Sequence, residues 1–300
     1  MRLGRLLTAT TALGLGTLAY SYVEATRRFV VRELTVPALP AGRDPIRVLH
    51  LSDIHLVPDQ APKRAWLRSL ANLEPDLVID TGDNLAHHGS VGPLVQDLGP
   101  LLEVPGAFVF GSNDYFAPHR KNPAAYLSGG TGVDRGGEWE REKDLPYELL
   151  RAELSSGGWL DLNNARGELT VNGTRLAFTG VDDPHLRYDR LDPTPADASA
   201  DLRIGVAHAP YLRVLDTFNA TGNELILAGH THGGQLQVPG YGALVTNCDL
   251  DTKRANGLHT HRTEGNDASW LHVSAGCGTS PFTPFRFCCR PEATVLTLTG

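Results

Sequence analysis

The chain contains a series of short, continuous apolar segments, each followed by a polar corner that usually contains glycine. Runs that do not alternate between apolar and polar residues are typical of strands buried on both faces. Helix-like stretches separate the early segments, and Asn172-Gly173 predicts a hairpin between two later ones. The pattern therefore predicts an α/β protein whose helices cover a mixed sheet system. The segments are IRVLHLSD, DLVIDTGDN, GAFVFGSND, RLAFTGVDD, LRIGVAHAP, ELILAGHTHGG, WLHVSAG and ATVLTLTG.

The charge and the cysteines exclude some classes of protein. The 300 residues carry a net charge of −7, the sequence pI is about 5.9, and no basic stripe is present. We therefore expect no nucleic-acid-binding surface. The four cysteines contain no C-x-x-C pair, which favours free thiols and leaves a long-range disulfide open. They are Cys248, Cys277, Cys288 and Cys289.

The N-terminus contains an uncharged run from Leu6 to Val23. Eighteen uncharged residues are marginal for spanning a bilayer and long for the core of a signal peptide. We expect an uncleaved, single-pass membrane anchor, with a packed N-terminal helix as the alternative. Basic residues lie on both sides of the run, so the side of the membrane is left open. The predicted division is an anchor and linker over residues 1–31 and one domain over residues 32–300.

A second unusual segment runs from Ser128 to Asp144 and contains five glycines and many charges. Its composition predicts an exposed insertion. A flap over a site and an ordinary surface loop are both compatible with it.

Metal-binding residue types follow several of the predicted strands. The carboxyl ends of strands in an α/β sheet are where ligands bind. Residues at i and i+2 of an extended chain point to the same side, so Asp53 and His55 are expected to converge. Carboxylate, imidazole and amide oxygen together suit divalent transition metals such as Zn, Mn or Fe. Seven such groups exceed the needs of one ion and predict two ions that share a carboxylate. The seven are Asp53, His55, Asp83, Asn113, His208, His230 and His232.

Three glycines surround the two histidines in the segment LILAGHTHGGQL, Leu225 to Leu236. Glycine permits close approach to the backbone. We expect these glycines to make room for a metal ion and a phosphate.

Each of these residues has an ordinary structural explanation when taken alone. Asp53 is compatible with a helix cap, Asp83 with a turn and His208 with a core histidine. Five strand-end motifs in one order make a joint coincidence improbable, so we favour the metal site.

The order of these motifs resembles that of the calcineurin-like metallophosphoesterases. The motifs are D-x-H, G-D-N, a corner similar to G-N-H-D, a single histidine, and G-H-T-H-G-G-Q, from about Ile46 to the C-terminus. GHTHGGQ and the late Arg290-Pro291-Glu292 resemble the bacterial membrane-associated branch. The resemblance implies a four-layered α/β/β/α sandwich with a dinuclear metal centre at the carboxyl ends of the strands. It also implies a hydrolase acting on phosphoric ester bonds.

The resemblance further implies a role for each ligand. The first metal would be held by Asp53, His55 and His232. The second would be held by His208, His230 and the amide oxygen of Asn113, with Asp83 bridging both. A hydroxide shared by two divalent ions would attack the phosphorus. Whether the ions are Mn, Zn or Fe is left open.

The third motif departs from the family pattern. The family has Gly-Asn-His-Asp, whereas this chain has Gly111-Ser112-Asn113-Asp114 and no histidine. Either Ser112 or Asn113 takes the ligand position, and the stronger amide donor favours Asn113. We keep Asn113 and Asp114 as candidate catalytic residues. Without an imidazole to protonate the leaving oxygen, phosphodiesters with good leaving groups are favoured as substrates.

Two further polar residues are candidates for substrate binding, Asn84 and His185, with an ordinary surface position as the alternative for the histidine. The expected partners are a phosphate-ester substrate and, through the N-terminal run, a membrane. The alternative to an enzyme is a non-catalytic metal-binding or scaffolding protein of the same fold.

Overall fold

The computed structural model describes residues 2–119 and 142–300, with only the helical backbone described for residues 2–10. The helices are α1 (Arg2–Arg27), α2 (Ala61–Ser69), α3 (Val91–Leu98), α4 (Ser112–Tyr115), α5 (Tyr147–Ser156) and α6 (Leu212–Ala220). The strands up to the middle of the chain are β1 (Val30–Pro37), β2 (Ile46–Leu51), β3 (Leu77–Asp80), β4 (Gly106–Phe108), β5 (Leu160–Asp161), β6 (Arg166–Val171) and β7 (Thr174–Gly180). The later strands are β8 (Leu202–Val206), β9 (Leu225–Ala228), β10 (Gln237–Val238), β11 (Gly242–Ala243), β12 (Gly257–His261), β13 (Ser269–Val273) and β14 (Glu292–Thr299).

Two six-stranded mixed sheets carry the fold. The first has the order β1-β14-β2-β3-β4-β5, with β2 to β5 parallel and β14 antiparallel to β2. The second has the order β12-β13-β9-β8-β7-β6, with β7, β8, β9 and β13 parallel and an antiparallel strand at each edge. All eight segments predicted as strands contain one, which confirms that continuous apolar runs identified them.

The buried apolar side chains form three clusters. One cluster fills the space between the sheets, where Val48 and Ile79 of the first sheet meet Ile204 and Leu227 of the second. A second cluster joins the outer face of the first sheet to α2, α3 and α5, and a third joins the second sheet to α6. The strands are therefore covered on both faces. The predicted four-layered α/β/β/α sandwich is confirmed.

Local turn chemistry also agrees with the sequence. β6 and β7 pair antiparallel, with Val171 opposite Thr174 across the predicted Asn172-Gly173 turn. Both turn residues have positive φ, as a tight hairpin requires. The predicted insertion from Ser128 to Asp144 falls mainly on residues 128–141, which lie outside the described residues.

The expected single-pass membrane anchor is not supported. No helix in the described part of the chain is both long and apolar enough to cross a bilayer. The uncharged run does form most of α1, but its four threonines, two glycines and one serine lower its hydropathy. The end of α1 packs on the domain: Ser21, Glu24 and Ala25 are buried, while Leu13 and Leu18 are exposed.

Candidate metal centre

The carboxyl ends of the central parallel strands meet at one edge of the two sheets. β2 leads into Asp53 and His55, and β3 leads into Asp83. In the second sheet, β8 leads into His208, and β9 leads into the histidines of GHTHGG. The predicted metal-binding side chains therefore come from both sheets and close on the seam between them.

Three side chains form a first group of candidate metal ligands, Asp53, His55 and His232. The Nε2 atoms of His55 and His232 lie 3.3 Å apart. Oδ1 of Asp53 lies 3.5 Å from Nε2 of His232 and 4.0 Å from Nε2 of His55. Asp53 and His55 are buried, whereas His232 is half-buried, so the group is enclosed by protein on the side of Asp53 and His55.

A second group consists of Asp53, Asp83 and His208, so Asp53 belongs to both groups. Asp83 lies between them, with Oδ2 3.5 Å from Nε2 of His55 and Oδ1 3.6 Å from Nε2 of His208. His230 lies beside this second group, because its Nδ1 is 3.3 Å from Nε2 of His208. The two oxygens of Asp83 thus face opposite groups.

The chemistry of these donors fits divalent cations. Among the described residues, Oδ1 of Asp53 is buried without a hydrogen-bond partner. Nδ1 of His208 and the carbonyl oxygen of Thr81 are 2.7 Å apart, which leaves Nε2 of His208 directed at Asp83. Buried carboxylates, imidazoles with a free ring nitrogen and an unpaired oxygen form the donor set that such ions take.

The neighbouring carboxylates change the pKa of His208. Burial lowers its pKa, but the carboxylates of Asp83, Asp183 and Asp53 outweigh burial and raise it to about 9. His232 shows the opposite result, because burial lowers its pKa to about 4. The Asp83 and Asp53 carboxylates thus favour positive charge at His208, which holds a proton near pH 7 that a bound cation would have to replace. His232 is neutral near pH 7 and able to bind a metal.

The ligand side chains converge for a different reason than the sequence suggested. Asp53 and His55 have φ values of 50° and 45°, so they stand in a left-handed turn rather than in an extended chain. His230 and His232 also have positive φ, and their side chains point to different groups. His230 lies near His208, and His232 lies near Asp53. Turn geometry, not strand alternation, directs these side chains.

The glycines near the site make room for protein atoms. A Cβ atom on Gly229 would lie 1.8 Å from Oγ of Ser52, and one on Gly111 would lie 2.3 Å from Oδ1 of Asp83. Gly233 has a positive φ, and its Cβ would lie 2.6 Å from Sγ of Cys289. The structure thus gives these glycines a packing role against the ligands and their supports.

The third motif lies next to Asp83. The backbone N–H of Asn113 donates to Oδ1 of Asp83 at 2.7 Å, and its side-chain Nδ2 donates to the carbonyl oxygen of Phe116. Asp114 is fully buried and accepts from the backbone N–H groups of Gly111, Asp83 and Asn84. Both Asp114 oxygens are engaged, so this carboxylate joins the second and third motifs.

The two candidate substrate-binding residues occupy different environments. Asn84 is buried, and its Nδ2 donates to Oδ2 of Asp80 at 2.8 Å. His185 is half-buried, with its ring 4.6 Å from the ring of His230 and its Nδ1 3.0 Å from the hydroxyl of Tyr211. His185 therefore stands beside the second group, while Asn84 supports the turn beneath it.

Some supporting residues were not anticipated. Ser52 donates to Oδ2 of Asp53 at 2.6 Å, a role that its place directly before the D-x-H motif could have suggested. The guanidinium of Arg286 is fully buried and donates to the carbonyl oxygens of Ala275 and Gly278. Its Nη2 lies 3.2 Å from Nδ1 of His232. No local pattern in the sequence identifies this arginine.

A comparison of the sequence with known protein families agrees with the geometry of the site. A family model described as calcineurin-like phosphoesterase matches residues 46–234. The chain belongs to the calcineurin-like phosphoesterases. It is therefore a hydrolase of phosphoric esters, in a family that uses divalent metals. The match does not distinguish branches of the family, so the membrane-associated branch stays a prediction.

Individual relatives extend the likeness beyond the matched region. The chain is 26% identical over 271 residues to YkuE, an uncharacterized metallophosphoesterase of Bacillus subtilis, covering 87% of this chain and 81% of YkuE. It is 26% identical over 260 residues to the phosphodiesterase YaeI of Escherichia coli, and the alignment covers 85% of this chain and 82% of YaeI. A 5′-nucleotidase precursor from Thermus thermophilus aligns at 12% identity with a TM-score of 0.45, covering 85% of this chain and 55% of that one. The two sequence relatives therefore match along most of their own length.

Proposed function

We propose that this metallophosphoesterase hydrolyses phosphodiesters at a centre that holds two divalent ions. The observation that carries the proposal is the position of Asp83, whose two oxygens lie 3.5 Å from His55 and 3.6 Å from His208. One carboxylate is thus directed at both ligand groups. A structural site for one ion does not need a carboxylate in this position.

Each ion has its own ligands in this proposal. Asp53, His55 and His232 would hold the first. The second would be held by His208, His230 and the amide oxygen of Asn113, whose backbone already donates to Asp83. When bound, the ions would supply an activated water near neutral pH and neutralise the charge of the phosphate oxygens.

The chain's own residues set up the site around the substrate. Asp114 fixes the second and third motifs by accepting three backbone N–H groups, so its proposed role is positioning rather than proton donation. Asn84 supports the same turn through Asp80. His185, beside His230 and half-buried, is the residue we propose to contact the substrate.

The preference for diesters rests on the third motif. Whether Ser112 or Asn113 takes the place of the family's asparagine, the Gly111–Asp114 corner has no imidazole to protonate a leaving alkoxide. A general acid contributes about 10²–10⁴-fold to the rate, and a good leaving group removes that need. The relative YaeI is itself named a phosphodiesterase.

The test compares bis(p-nitrophenyl) phosphate with an alkyl phosphate monoester, using the full chain and added Mn²⁺. We expect the diester to have a kcat/KM at least about 100-fold higher, which is the smaller end of a general-acid contribution. Asp83→Ala should abolish turnover of both substrates. Asn113→Ala should weaken Mn²⁺ binding more than Ser112→Ala.

Three results would count against this account. A preference for the alkyl monoester would refute the leaving-group argument. A larger loss of Mn²⁺ affinity in Ser112→Ala than in Asn113→Ala would assign the ligand position to Ser112. Metal binding without hydrolysis of any ester would favour the alternative of a scaffolding protein.

A further inference from the structure

Three tyrosine rings surround one ammonium group, and one of them, Tyr115, directly follows Asp114 in the chain. Nζ of Lys143 lies 4.0 Å from the ring centroid of Tyr115, 4.6 Å from that of Tyr147 and 5.0 Å from that of Tyr188. We call these three tyrosines the tyrosine cage. A cation within about 6 Å of one ring centroid already gains a cation–π interaction, and here three act on one nitrogen.

The cage is a built site rather than a chance contact. Tyr115 is only 1% exposed, and its ring packs edge-on against Tyr147 at 5.1 Å and Tyr188 at 5.5 Å. Its hydroxyl donates to Oδ1 of Asp182 at 2.8 Å, which adds a carboxylate beneath the rings. The ring positions are therefore fixed. The Asp182 carboxylate favours a cation among the rings, while the guanidinium of Arg151, 5.8 Å from the ring centroid of Tyr147, opposes it.

The resident cation enters the cage from solvent. Lys143 is an exposed residue on a flexible four-carbon stem, although its ammonium lies against the rings. Burial of that ammonium lowers the pKa of Lys143. A strongly hydrated ammonium loses water contacts among aromatic faces, whereas a quaternary ammonium has no N–H donors to leave unsatisfied.

Two chain segments connect the cage to the second ligand group. Tyr115 ends α4, the helix that carries Asn113. On the other side, Asp182 continues into Asp183, whose Oδ1 accepts from the backbone N–H of His185. The ring of His185 in turn lies 4.6 Å from that of His230. A phosphate at the metal centre would therefore have the cage on the side of the second group.

We propose that the tyrosine cage binds a quaternary ammonium group of the substrate, which displaces Lys143. This proposal rests on the proposed function, because it names the substrate class of the same site: phosphodiesters of an amino alcohol such as choline. The cage selects charge and shape together, since a neutral group of the same shape lacks the cation–π attraction.

Binding of choline to the full-length protein is the first measurement, with the neutral isostere 3,3-dimethylbutan-1-ol as the matched probe. Calorimetry should show choline binding to Lys143→Ala at least about tenfold more tightly than the isostere, because three rings act on the charge. Adding Tyr147→Leu to Lys143→Ala should remove this difference. Adding Tyr147→Phe should keep it, since phenylalanine retains the ring. Equal binding of choline and its isostere, or an intact difference after Tyr147→Leu, would overturn the proposal.

Hydrolysis is the second measurement. The ratio of kcat/KM for p-nitrophenyl phosphorylcholine to that for bis(p-nitrophenyl) phosphate should rise in Lys143→Ala, because the competing ammonium is gone. An unchanged ratio would contradict the displacement. Failure of the two proposals is distinguishable: choline binding without hydrolysis of either ester would overturn the diesterase function alone. Hydrolysis of both esters without selective choline binding would overturn the cage alone.

Discussion

At the scale of single residues, the site depends on unusual backbone conformations. Five of the seven proposed ligands have positive φ: Asp53, His55, Asp83, His230 and His232. Such conformations cost a non-glycine residue about 1–3 kcal/mol and persist only where the surroundings enforce them. Hydrogen bonds from Ser52 to Asp53 and from the backbone of Asp83 to Asp114 are part of that enforcement. The motifs in the sequence predict these candidate ligands, but their turn geometry depends on contacts between distant segments.

Gly111 provides a test of how closely the ligands are packed. An added Cβ would lie 2.3 Å from Oδ1 of Asp83 and 2.6 Å from Cε1 of His208, so Gly111→Ala must displace a ligand. We expect Mn²⁺ affinity to fall about 10–100-fold, as for other changes that disturb ligand support. Isothermal titration with Mn²⁺ measures this.

The matched control is Gly92→Ala in α3, where the new Cβ would meet nothing within 4 Å. That change should leave Mn²⁺ affinity unaltered. Because Gly92 is the second residue of α3 and precedes Pro93, the free energy of unfolding should change by less than about 0.5 kcal/mol. Equal Mn²⁺ affinity in the two variants would show that the ligands tolerate displacement at Gly111.

At the scale of elements, continuous apolar runs predict the central strands, because a strand buried on both faces needs apolar residues at nearly every position. β1 is buried mainly on one face, so its sequence contains no such run, and the docking of α1 has no comparable sequence pattern. The uncharged run of α1 predicts an anchor, whereas Glu24, directly after that run, contacts Cys289, which lies against the carbonyl oxygen of His232. The tyrosine cage was also missed, because its rings come from three separate segments. The division of the chain at residue 31 stays a prediction.

Glu24 tests whether α1 supports the metal centre. Its Oε1 accepts from the backbone N–H of Cys289 at 2.8 Å, and Sγ of Cys289 lies 3.3 Å from the carbonyl oxygen of His232. Glu24→Ala leaves a buried N–H unpaired, which should lower the free energy of unfolding by about 1–3 kcal/mol. Mn²⁺ affinity should fall as the support of His232 loosens.

Urea unfolding and Mn²⁺ titration measure the two effects. The control is Glu33→Ala, at an exposed position of β1, which should change neither quantity appreciably. If Glu24→Ala matched Glu33→Ala in both measurements, α1 would have no part in holding the centre.

At the scale of the whole molecule, the apolar core and the candidate metal ligands occupy different regions. The apolar clusters lie between the sheets and beneath the helices, whereas the ligands lie on turns at one edge. Chelation of the metal should therefore abolish hydrolysis and leave the secondary structure intact by circular dichroism. That retained fold allows the metal content of the protein to be measured without unfolding.

The central claim is that one chain holds two divalent ions with Asp83 between them. The most direct test is metal analysis of the full-length protein after chelation, saturation with Mn²⁺ and removal of the excess. The account predicts about two ions per chain in the wild type and fewer in Asp83→Asn, because one carboxylate serves both ions. One ion or none in a wild-type protein that still hydrolyses bis(p-nitrophenyl) phosphate would contradict it.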